Sequence, residues 1–291
     1  MSKHPKRARE QVSSSSESDN DIRLQERSDD EDCSDIDVDF QFDSFCDEDF
    51  HGVSLLLKNV LGGEFDNVGL TDCLLEQQNI SCAVKTGDDS AICAIGSVVN
   101  PHQYKDVEGV KQLKGYILRN ANKSASEAVA KSIQRILAEP ASGIVPGIVL
   151  KERLVNLPLQ IAPGIHKVLI DDIAWSLSPE AECPPDEAQF YRFTHFAFLS
   201  YFLVDPAARG GGKLVSAGKT KKAKKTNAVS EADRIYMHVE DETFLESSTA
   251  SFSWREGEHD DGKNKYEKHR LVYVMEKADY SNATERLTKA V

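Results

Sequence analysis

A strict alternation of apolar and polar residues marks the first regular element of the chain. The segment VDFQFD (38–43) places its apolar side chains on one side and its polar side chains on the other, which predicts a strand with one buried face. Apolar residues at helical spacing follow over 50–61. Three acidic residues at 47–49 suit the positive N-terminal end of this helix, and a glycine pair directly after it suits its C-terminal end.

Helices and strands then alternate along the chain. Further helices are predicted over 70–78, 107–118 and 125–137 and near the C-terminus. Strands are predicted over 80–85, 91–99, 190–204, 235–244, 250–254 and 270–275. A capping box from Ser124 to Glu127 opens one helix, and Asn282 and Glu285 are spaced to cap the last. The aromatic segment 190–204 is expected to be a long central strand throughout.

A strand followed by a helix is predicted over 147–177. The loose alternation over 148–155 suits a strand, and Asn156, Leu157 and Pro158 supply a turn and a helix start. Apolar residues at helical spacing form the side of this helix that is expected to be buried: Ile165, Val168, Leu169 and Ile173. The side expected to face water carries His166, Lys167, Asp171 and Asp172.

Strands interspersed with helices indicate an α/β fold, in which a mixed, mostly central sheet is flanked by helices. The strand order does not follow from this pattern. Residues 1–36 contain almost nothing to bury and are predicted to be a disordered, acidic and Ser-rich tail with a basic N-terminus. Because no linker divides the remainder, residues 37–291 are expected to form one domain. A flexible Lys-rich loop is expected within it at 205–230.

Negative charge is concentrated near the N-terminus. The 291-residue chain has a formal net charge of −13, and fifteen of its Asp and Glu residues lie between Glu17 and Asp49. This distribution favours basic partners or simple solubility over attraction to bare phosphate. The acidic residues nearest the predicted domain are the candidates for partner binding: Asp29, Asp30, Glu31, Asp32, Asp35, Asp37, Asp39, Asp43, Asp47, Glu48 and Asp49.

Short motifs in the tail and the Lys-rich loop suggest targeting and modification. Basic clusters that resemble nuclear-import signals lie at Lys3, Lys6, Arg7 and Arg9 and at Lys221, Lys222, Lys224 and Lys225. Four serines have an acidic residue three positions after them and are candidates for phosphorylation by acid-directed kinases: Ser16, Ser18, Ser28 and Ser34. The alternatives are a solubilising tail and a solvated insert. Because the loop offers neither stacking aromatics nor a groove-entering helix, direct nucleic-acid binding is not expected.

The six cysteines contain no CxxC pair and no His-bracketed spacing. No metal site is therefore predicted, and reduced, mostly buried thiols of the cytosol or nucleus are expected. No apolar run approaches the roughly eighteen residues of a membrane-spanning helix. The charged N-terminus is not followed by the apolar region of a signal peptide. The chain is accordingly predicted to be neither secreted nor embedded in a membrane.

The strongest enzymatic candidate is the segment VDPAARGGGKL (204–214). Arg209 and the glycines up to Gly212 resemble the pyrophosphate loop of GCN5-related acetyltransferases, which aims backbone N–H groups at the phosphates of coenzyme A. Leu214 stands where that loop needs Gly or Ala, and the Lys-rich run after it lacks the apolar stripe of a docked helix. Other catalytic motifs are absent from the sequence. Neither a cofactor nor a catalytic residue is therefore predicted.

The segment 150–163 carries a resemblance to a known family. Its spaced residues are similar to the signature of the BCCIP family, which is named for binding a breast-cancer-susceptibility protein and a cyclin-dependent-kinase inhibitor: Leu150, Glu152, Arg153, Asn156, Pro158, Gln160, Ile161 and Pro163. Three further stretches match the family. One begins with VDFQFD, one begins with LTDCLLEQ, and the third is the aromatic strand followed by the Lys-rich loop. The resemblance extends from Val38 to the C-terminus.

The resemblance implies an acetyltransferase-like fold without the cofactor site and a non-enzymatic role. It implies a nuclear escort protein, shuttling to the cytoplasm, that chaperones a basic large-subunit ribosomal protein in ribosome biogenesis and nuclear export. Cell-cycle control and recombination repair are implied in some lineages. The implied partners are that ribosomal protein, nuclear transport factors, the breast-cancer-susceptibility protein and the kinase inhibitor. The alternative function is a divergent acetyl-CoA-dependent N-acetyltransferase that uses the loop from Arg209 to Gly212.

Overall fold

A mixed β-sheet forms the centre of the protein. The computed structural model describes residues 39–61, 65–77, 79–87, 91–138, 143–206 and 229–291. Within these residues the strands are β1 Phe40–Asp43, β2 Ser81–Thr86, β3 Ala91–Val99, β4 Pro146–Arg153, β5 His195–Val204, β6 Arg234–Tyr236, β7 Ala250–Asp260 and β8 Lys265–Glu276. Their order is β1-β2-β3-β4-β5-β8-β7, with β6 also paired to β5. All these pairs are antiparallel except β4 with β5, which are parallel.

Helices cover both faces of the sheet. Those in the described residues are α1 Phe50–Leu61, α2 Asn67–Gln77, α3 Glu108–Ser124, α4 Glu127–Leu137, α5 Ile161–Trp175, α6 Pro185–Tyr191, α7 Glu240–Glu246 and α8 Lys277–Ala290. Side chains of β5 alternate between two cores, since Ala197 and Leu199 pack with α1 to α4, whereas Phe196 and Phe198 pack with α5, α7 and α8. The predicted mixed sheet with helices on its faces is therefore confirmed.

Two segments that read as strands in the sequence contain helices. The predicted strand over 190–204 begins only at His195, because residues up to Tyr191 belong to α6. The prediction for 235–244 is wrong over most of its length, since β6 ends at Tyr236 and α7 begins at Glu240. Tyr191 of α6 and Phe244 of α7 are buried from these helices in the core that α5, α7 and α8 cover, so packing overrides the local β-propensity.

The last two strands are longer than predicted. The segment 256–268, expected to separate them, instead continues both strands as a charged hairpin in β7 and β8. Inter-strand hydrogen bonds satisfy its backbone while its side chains remain in water, so its polarity does not prevent strand formation. The hairpin turns at Gly262, whose φ of 84° lies in the left-handed region.

Helix starts and helix faces also differ in detail. Ser126, not Ser124, caps α4 by accepting a hydrogen bond from the backbone of Val129, and α8 begins at Lys277, before the predicted cap. On α5, Lys167 and Asp171 face water as predicted. The prediction is wrong for His166 and Asp172, which are buried.

Several expectations concern thiols, membranes and the chain ends. The cysteines in the described residues are free thiols, of which Cys73, Cys82 and Cys93 are buried. None of the helices in the described residues is both long enough and apolar enough to cross a membrane. The predicted tail, 1–36, lies outside the described residues, as does 207–228, most of the predicted loop.

Candidate functional site

A crevice opens in the sheet where its two parallel strands separate. The parallel pairing joins Pro146–Val149 of β4 only to His195–Phe198 of β5. Beyond this point β5 still pairs with β8 on its far side, while β6 pairs with Phe202–Val204 on the side that β4 has left. Ligands commonly bind at the carboxyl ends of parallel strands where neighbouring strands diverge. This crevice is therefore the first place to look for a site.

The start of α7 fills the crevice with charged side chains. Lys151 Nζ lies 2.7 Å from Glu240 Oε1 and 2.8 Å from Asp241 Oδ1. Arg153 Nη1 donates to both oxygens of Glu240, at 3.0 and 2.9 Å. Lys151, Glu240 and Asp241 are all buried, so the protein replaces their lost hydration with ion pairs and hydrogen bonds. β4 and α7 are joined by this cluster.

Asp241 extends the cluster to the strands on the far side of the crevice. Its Oδ1 accepts a hydrogen bond of 2.7 Å from the hydroxyl of Tyr273 in β8, and its Oδ2 accepts one from the hydroxyl of Ser200 in β5. Tyr273 also stacks on Phe198, with ring centroids 4.7 Å apart. Side chains from β4, β5 and β8 therefore all bind the first turn of α7.

Two buried histidines lie beside Glu240. His166 of α5 has its Nε2 4.0 Å from Glu240 Oε1 and its Nδ1 2.8 Å from the hydroxyl of Tyr280. His238 has its Nδ1 3.8 Å from Glu240 Oε1 and its Nε2 3.4 Å from Glu152 Oε1. Burial lowers the pKa of both imidazoles, that of His238 to about 4. Both rings are therefore neutral at neutral pH.

The two glutamates of the cluster differ in their ionisation. Burial alone would raise the pKa of Glu240, but the charge of Lys151, together with the nearby ring of His166, holds that pKa well below its ordinary value. Burial raises the pKa of Glu152 to about 7, because the backbone N–H of Arg153 and nearby cations offset only part of the desolvation. No residue in the described part of the chain forms a hydrogen bond with Glu152 Oε2. Glu152 is thus the weakly compensated acid of the cluster.

Little space remains inside the cluster. A cavity of about 10 Å³ lies between β4, α5 and α7, which is room for about one water molecule. Lys151 is paired with two carboxylates, so it is neither an accessible nucleophile nor a free base. No group of three or more His, Cys, Asp or Glu among the described residues is arranged to hold a metal ion. The arrangement is suited to fastening α7 in the crevice and to responding to pH.

A larger groove lies at the opposite end of β4. It has a volume of about 510 Å³ and is lined in part by His102, Lys105, Lys114 and Phe190. Asn100 at its floor is already satisfied, since its amide donates to the carbonyl of Phe190 and its side-chain oxygen accepts from the backbone N–H of His102. The groove is open, and Asn100 is engaged within the fold.

Most of the residues singled out in the sequence lie outside the described residues. These are the import candidates at 3–9 and 221–225, the four serines, the acetyltransferase-like residues Arg209 to Gly212 and the acidic candidates from Asp29 to Asp37. The described acidic candidates lie just before, in or shortly after β1. Asp39, Asp47 and Glu48 are exposed and Asp43 is half-buried. Asp49 is buried and pairs with Lys85 at 2.8 Å, so its charge is already used within the fold.

Sequence reasoning did not identify the buried cluster. The signal for it is the run Lys151, Glu152 and Arg153 inside an otherwise apolar strand, since consecutive charges in a central strand need buried partners. The partners, Glu240 and Asp241, follow about ninety residues later. They lie in the segment 235–244, for which the sequence predicts a strand. In a strand, successive side chains point to opposite faces, so that prediction does not bring the two carboxylates to one cation.

The sequence was also compared with known proteins and protein families. The family model described as BCCIP matches residues 35–244, more than half of the chain. The chain belongs to the BCCIP family. "Protein bcp1" of Schizosaccharomyces pombe is 33% identical over 216 residues, which cover 72% of this chain and 72% of that protein. "Protein BCCIP homolog" of Arabidopsis thaliana is 30% identical over 238 residues, which cover 80% of this chain and 67% of that protein.

One solved structure agrees with the BCCIP assignment at the level of the fold. The crystal structure of BCP1 from Saccharomyces cerevisiae aligns with a TM-score of 0.56 and 18% identity, covering 87% of this chain and 88% of that chain. A GNAT-family acetyltransferase from Streptococcus pneumoniae is also among the structural neighbours, with a TM-score of 0.28 and 9% identity, covering 81% of this chain and 99% of that chain. The prediction of BCCIP membership is confirmed, and family membership supports a non-enzymatic role.

Proposed function

We propose that this BCCIP-family protein is a nuclear escort that binds a basic large-subunit ribosomal protein and keeps its positive charge masked during ribosome biogenesis and nuclear export. The observation that carries this proposal is the position of the acidic residues. Fifteen Asp and Glu and only two Arg lie between Glu17 and Asp49. This charge runs directly into the edge strand β1, so it is attached to a folded surface and can attract a basic protein.

The described end of this acidic segment has the properties that binding requires. Asp39, Asp47 and Glu48 are exposed. The exposed carboxylates of Asp39 and Asp47 can therefore meet a partner at the surface. Phe42 of β1 packs against α5, where a methyl group added at Gly164 would lie 2.7 Å from its ring. The acidic segment is thus attached at a fixed place on the fold.

The filled crevice supports a binding role over the alternative of an acetyl-CoA-dependent N-acetyltransferase. Glu240 and Asp241 occupy the place where the parallel strands diverge, and the space left there holds about one water. Calorimetry with acetyl-CoA tests the alternative directly. Micromolar binding would favour the enzyme, and no measurable heat at high concentration would favour the escort.

Salt dependence tests charge masking. The test variant has the ten acidic residues from Glu17 to Asp37 replaced by Asn and Gln, which keeps the length of the chain. Binding to purified proteins stripped from large ribosomal subunits is measured at about 0.05 M and about 0.3 M salt. We expect the variant to lose much more affinity at low salt, because exposed charges are screened at high salt. An equal loss at both salt concentrations would contradict charge masking by this segment.

A further inference from the structure

A loop with exposed apolar side chains joins β4 to α5. Leu154, Val155 and Leu159 have 46%, 75% and 47% of their surface exposed. The loop backbone is nevertheless anchored at both ends. The N–H of Leu154 donates to the carbonyl of Cys93 at 2.8 Å, and the N–H of Ile161 donates to the carbonyl of Pro158 at 3.2 Å.

The conformation of the loop keeps these side chains in water. Asn156 has a φ of 72°, a left-handed conformation that Asn tolerates better than most residues. Leu157 turns inward and packs against the second core. Val155 and Leu159 therefore project from a fixed backbone. A preordered apolar surface loses little conformational entropy when a partner covers it.

A second apolar segment lies beside the first. Ile235 and Val239 have 47% and 38% of their surface exposed. Val239 directly precedes Glu240, which pairs with Arg153 at 2.9 Å, and Leu154 directly follows Arg153. This ion pair brings the two segments together. We call Leu154, Val155, Leu159, Ile235 and Val239 the apolar edge.

The charge of the second apolar segment and the helix after it is unbalanced. Residues 229–246 contain six acidic residues and one basic residue, Arg234. Glu240 and Asp241 are neutralised inside the fold by Lys151 and Arg153, but Glu231 and Glu242 remain exposed. Arg234 lies over the ring of Phe202, 5.0 Å from its centroid, and donates to the hydroxyl of Tyr236. Exposed apolar groups with a negative border complement an apolar segment that carries Lys or Arg.

We propose that the apolar edge is a docking surface for an amphipathic, cationic segment of a protein partner. The aliphatic side chains of the partner cover Val155, Leu159 and Val239, and its basic side chains face Glu231 and Glu242. This inference rests on the proposed function, because it supplies the short-range contact that holds a basic partner after long-range attraction has brought it close. Large exposed apolar patches with polar rims commonly mark such contacts.

A matched pair of variants tests this surface in the full-length chain. The test variant is V155S/L159S. The control is L55S/V68S, which removes two aliphatic side chains that are 61% and 59% exposed on α1 and α2. The probe is a synthetic peptide with Leu and Lys at helical spacing, and a second peptide has every Leu replaced by Ser. Binding is measured at about 0.3 M salt, where attraction to the acidic tail is screened.

The expected result is about tenfold weaker binding of the Leu-containing peptide to V155S/L159S, with less than about a twofold change for L55S/V68S. The Ser-containing peptide should bind weakly to all three proteins. Equal affinity of the Leu peptide for both variants would overturn the docking surface. Such a result would leave charge masking standing if neutralising Glu17 to Asp37 still weakens binding of ribosomal protein at low salt. A failure of both experiments would remove both proposals.

Discussion

Lys151 in β4 lies 2.7 Å from Glu240 in α7, and less than 5% of either side chain is exposed. The pair spans the crevice between the diverging parallel strands and holds a short helix inside it. Buried ion pairs contribute little net stability when they form, but they cost a great deal when one partner is removed. The position of α7 is therefore specified strongly by charge.

Replacing Lys151 should destabilise the fold severely. The variant Lys151→Met leaves Asp241 without its cation and Glu240 with only part of its compensation, both in a buried site. We expect the free energy of unfolding to fall by about 3–5 kcal/mol, measured by urea denaturation. Lys131→Met is the control, because Lys131 also makes a 2.7 Å ion pair, but with 72% of its side chain exposed. That variant should lose less than about 0.5 kcal/mol, and similar losses for both would contradict this account of the cluster.

Glu152 should make stability fall as pH rises towards neutrality. Its pKa is raised from 4.5 to about 7, so between these values the folded chain holds a proton that the unfolded chain has released. Glu152→Gln removes this penalty. The free energy of unfolding of the variant minus that of the wild type should therefore increase by on the order of 3 kcal/mol from pH 4.5 to pH 7.

His238 acts in the opposite direction, which is why a difference must be measured. Its pKa is lowered to about 4, so between about pH 4 and pH 6.5 the unfolded chain binds the extra proton and stability rises with pH. This contribution partly masks that of Glu152 in the wild type. Because His238 Nε2 lies 3.4 Å from Glu152 Oε1, the difference between the two proteins contains the coupling of these groups as well as the titration of Glu152. A difference that stays flat across the window would show that Glu152 titrates normally.

Gly164 controls how closely β1 packs on α5. A methyl group at this position would lie 2.7 Å from two ring atoms of Phe42, so Gly164→Ala should displace the ring and loosen β1. Gly115→Ala in α3 is the control, since the nearest atom there, at 3.1 Å, is the flexible end of Arg119. The control should gain about 0.5–1 kcal/mol from helix propensity, whereas Gly164→Ala should lose about 1–3 kcal/mol.

Hydrogen exchange of β1 amides would locate the Gly164 effect. We expect faster exchange at Gln41 and Asp43, whose register with β2 makes them the hydrogen-bonded positions of the strand, in Gly164→Ala and unchanged exchange in Gly115→Ala. Exchange at β1 that is unaffected by Gly164→Ala would mean that Phe42 adjusts without loosening the strand.

Replacing Asp49 should affect stability, whereas replacing Asp47 should affect binding. Asp49→Asn breaks a buried pair with Lys85 at 2.8 Å and should lower the free energy of unfolding by about 1–3 kcal/mol, with little effect on binding a basic protein while the chain is folded. Asp47→Asn removes an exposed charge and should weaken that binding at low salt with little effect on stability. Thermal unfolding and a salt titration of binding measure the two properties. The opposite result, weaker binding for Asp49→Asn and lower stability for Asp47→Asn, would contradict these roles.

The sequence predicts elements well where burial and local pattern agree. The continuous apolar run Ala91–Val99 needs cover on both faces, and β3 occupies those residues. Prediction fails where tertiary packing overrides local preference. The apolar residues of 235–244 suit a strand. In the fold, however, Glu240 and Asp241 both pair with Lys151, and the first turn of a helix places their two carboxylates on the same cation.

The candidate site is harder to predict because its members are distant in sequence. His166 belongs by its spacing to the polar side of α5, and only the arrival of Tyr280 from α8 and Glu240 from α7 gives it buried partners. The acidic candidates Asp47 and Asp49 are two residues apart and look equivalent in the sequence. Lys85, on a neighbouring strand, removes Asp49 from the surface.

The outermost place of β1 in the sheet has a mechanical consequence. Its four residues pair only with β2 within the described part of the chain, so tension applied to the preceding segment by a bound partner would open these hydrogen bonds one after another, as a zipper opens. Such peeling would leave the inner strands and the two cores in place. A pull on the acidic segment would thus be absorbed at the margin of the molecule while the rest keeps its shape.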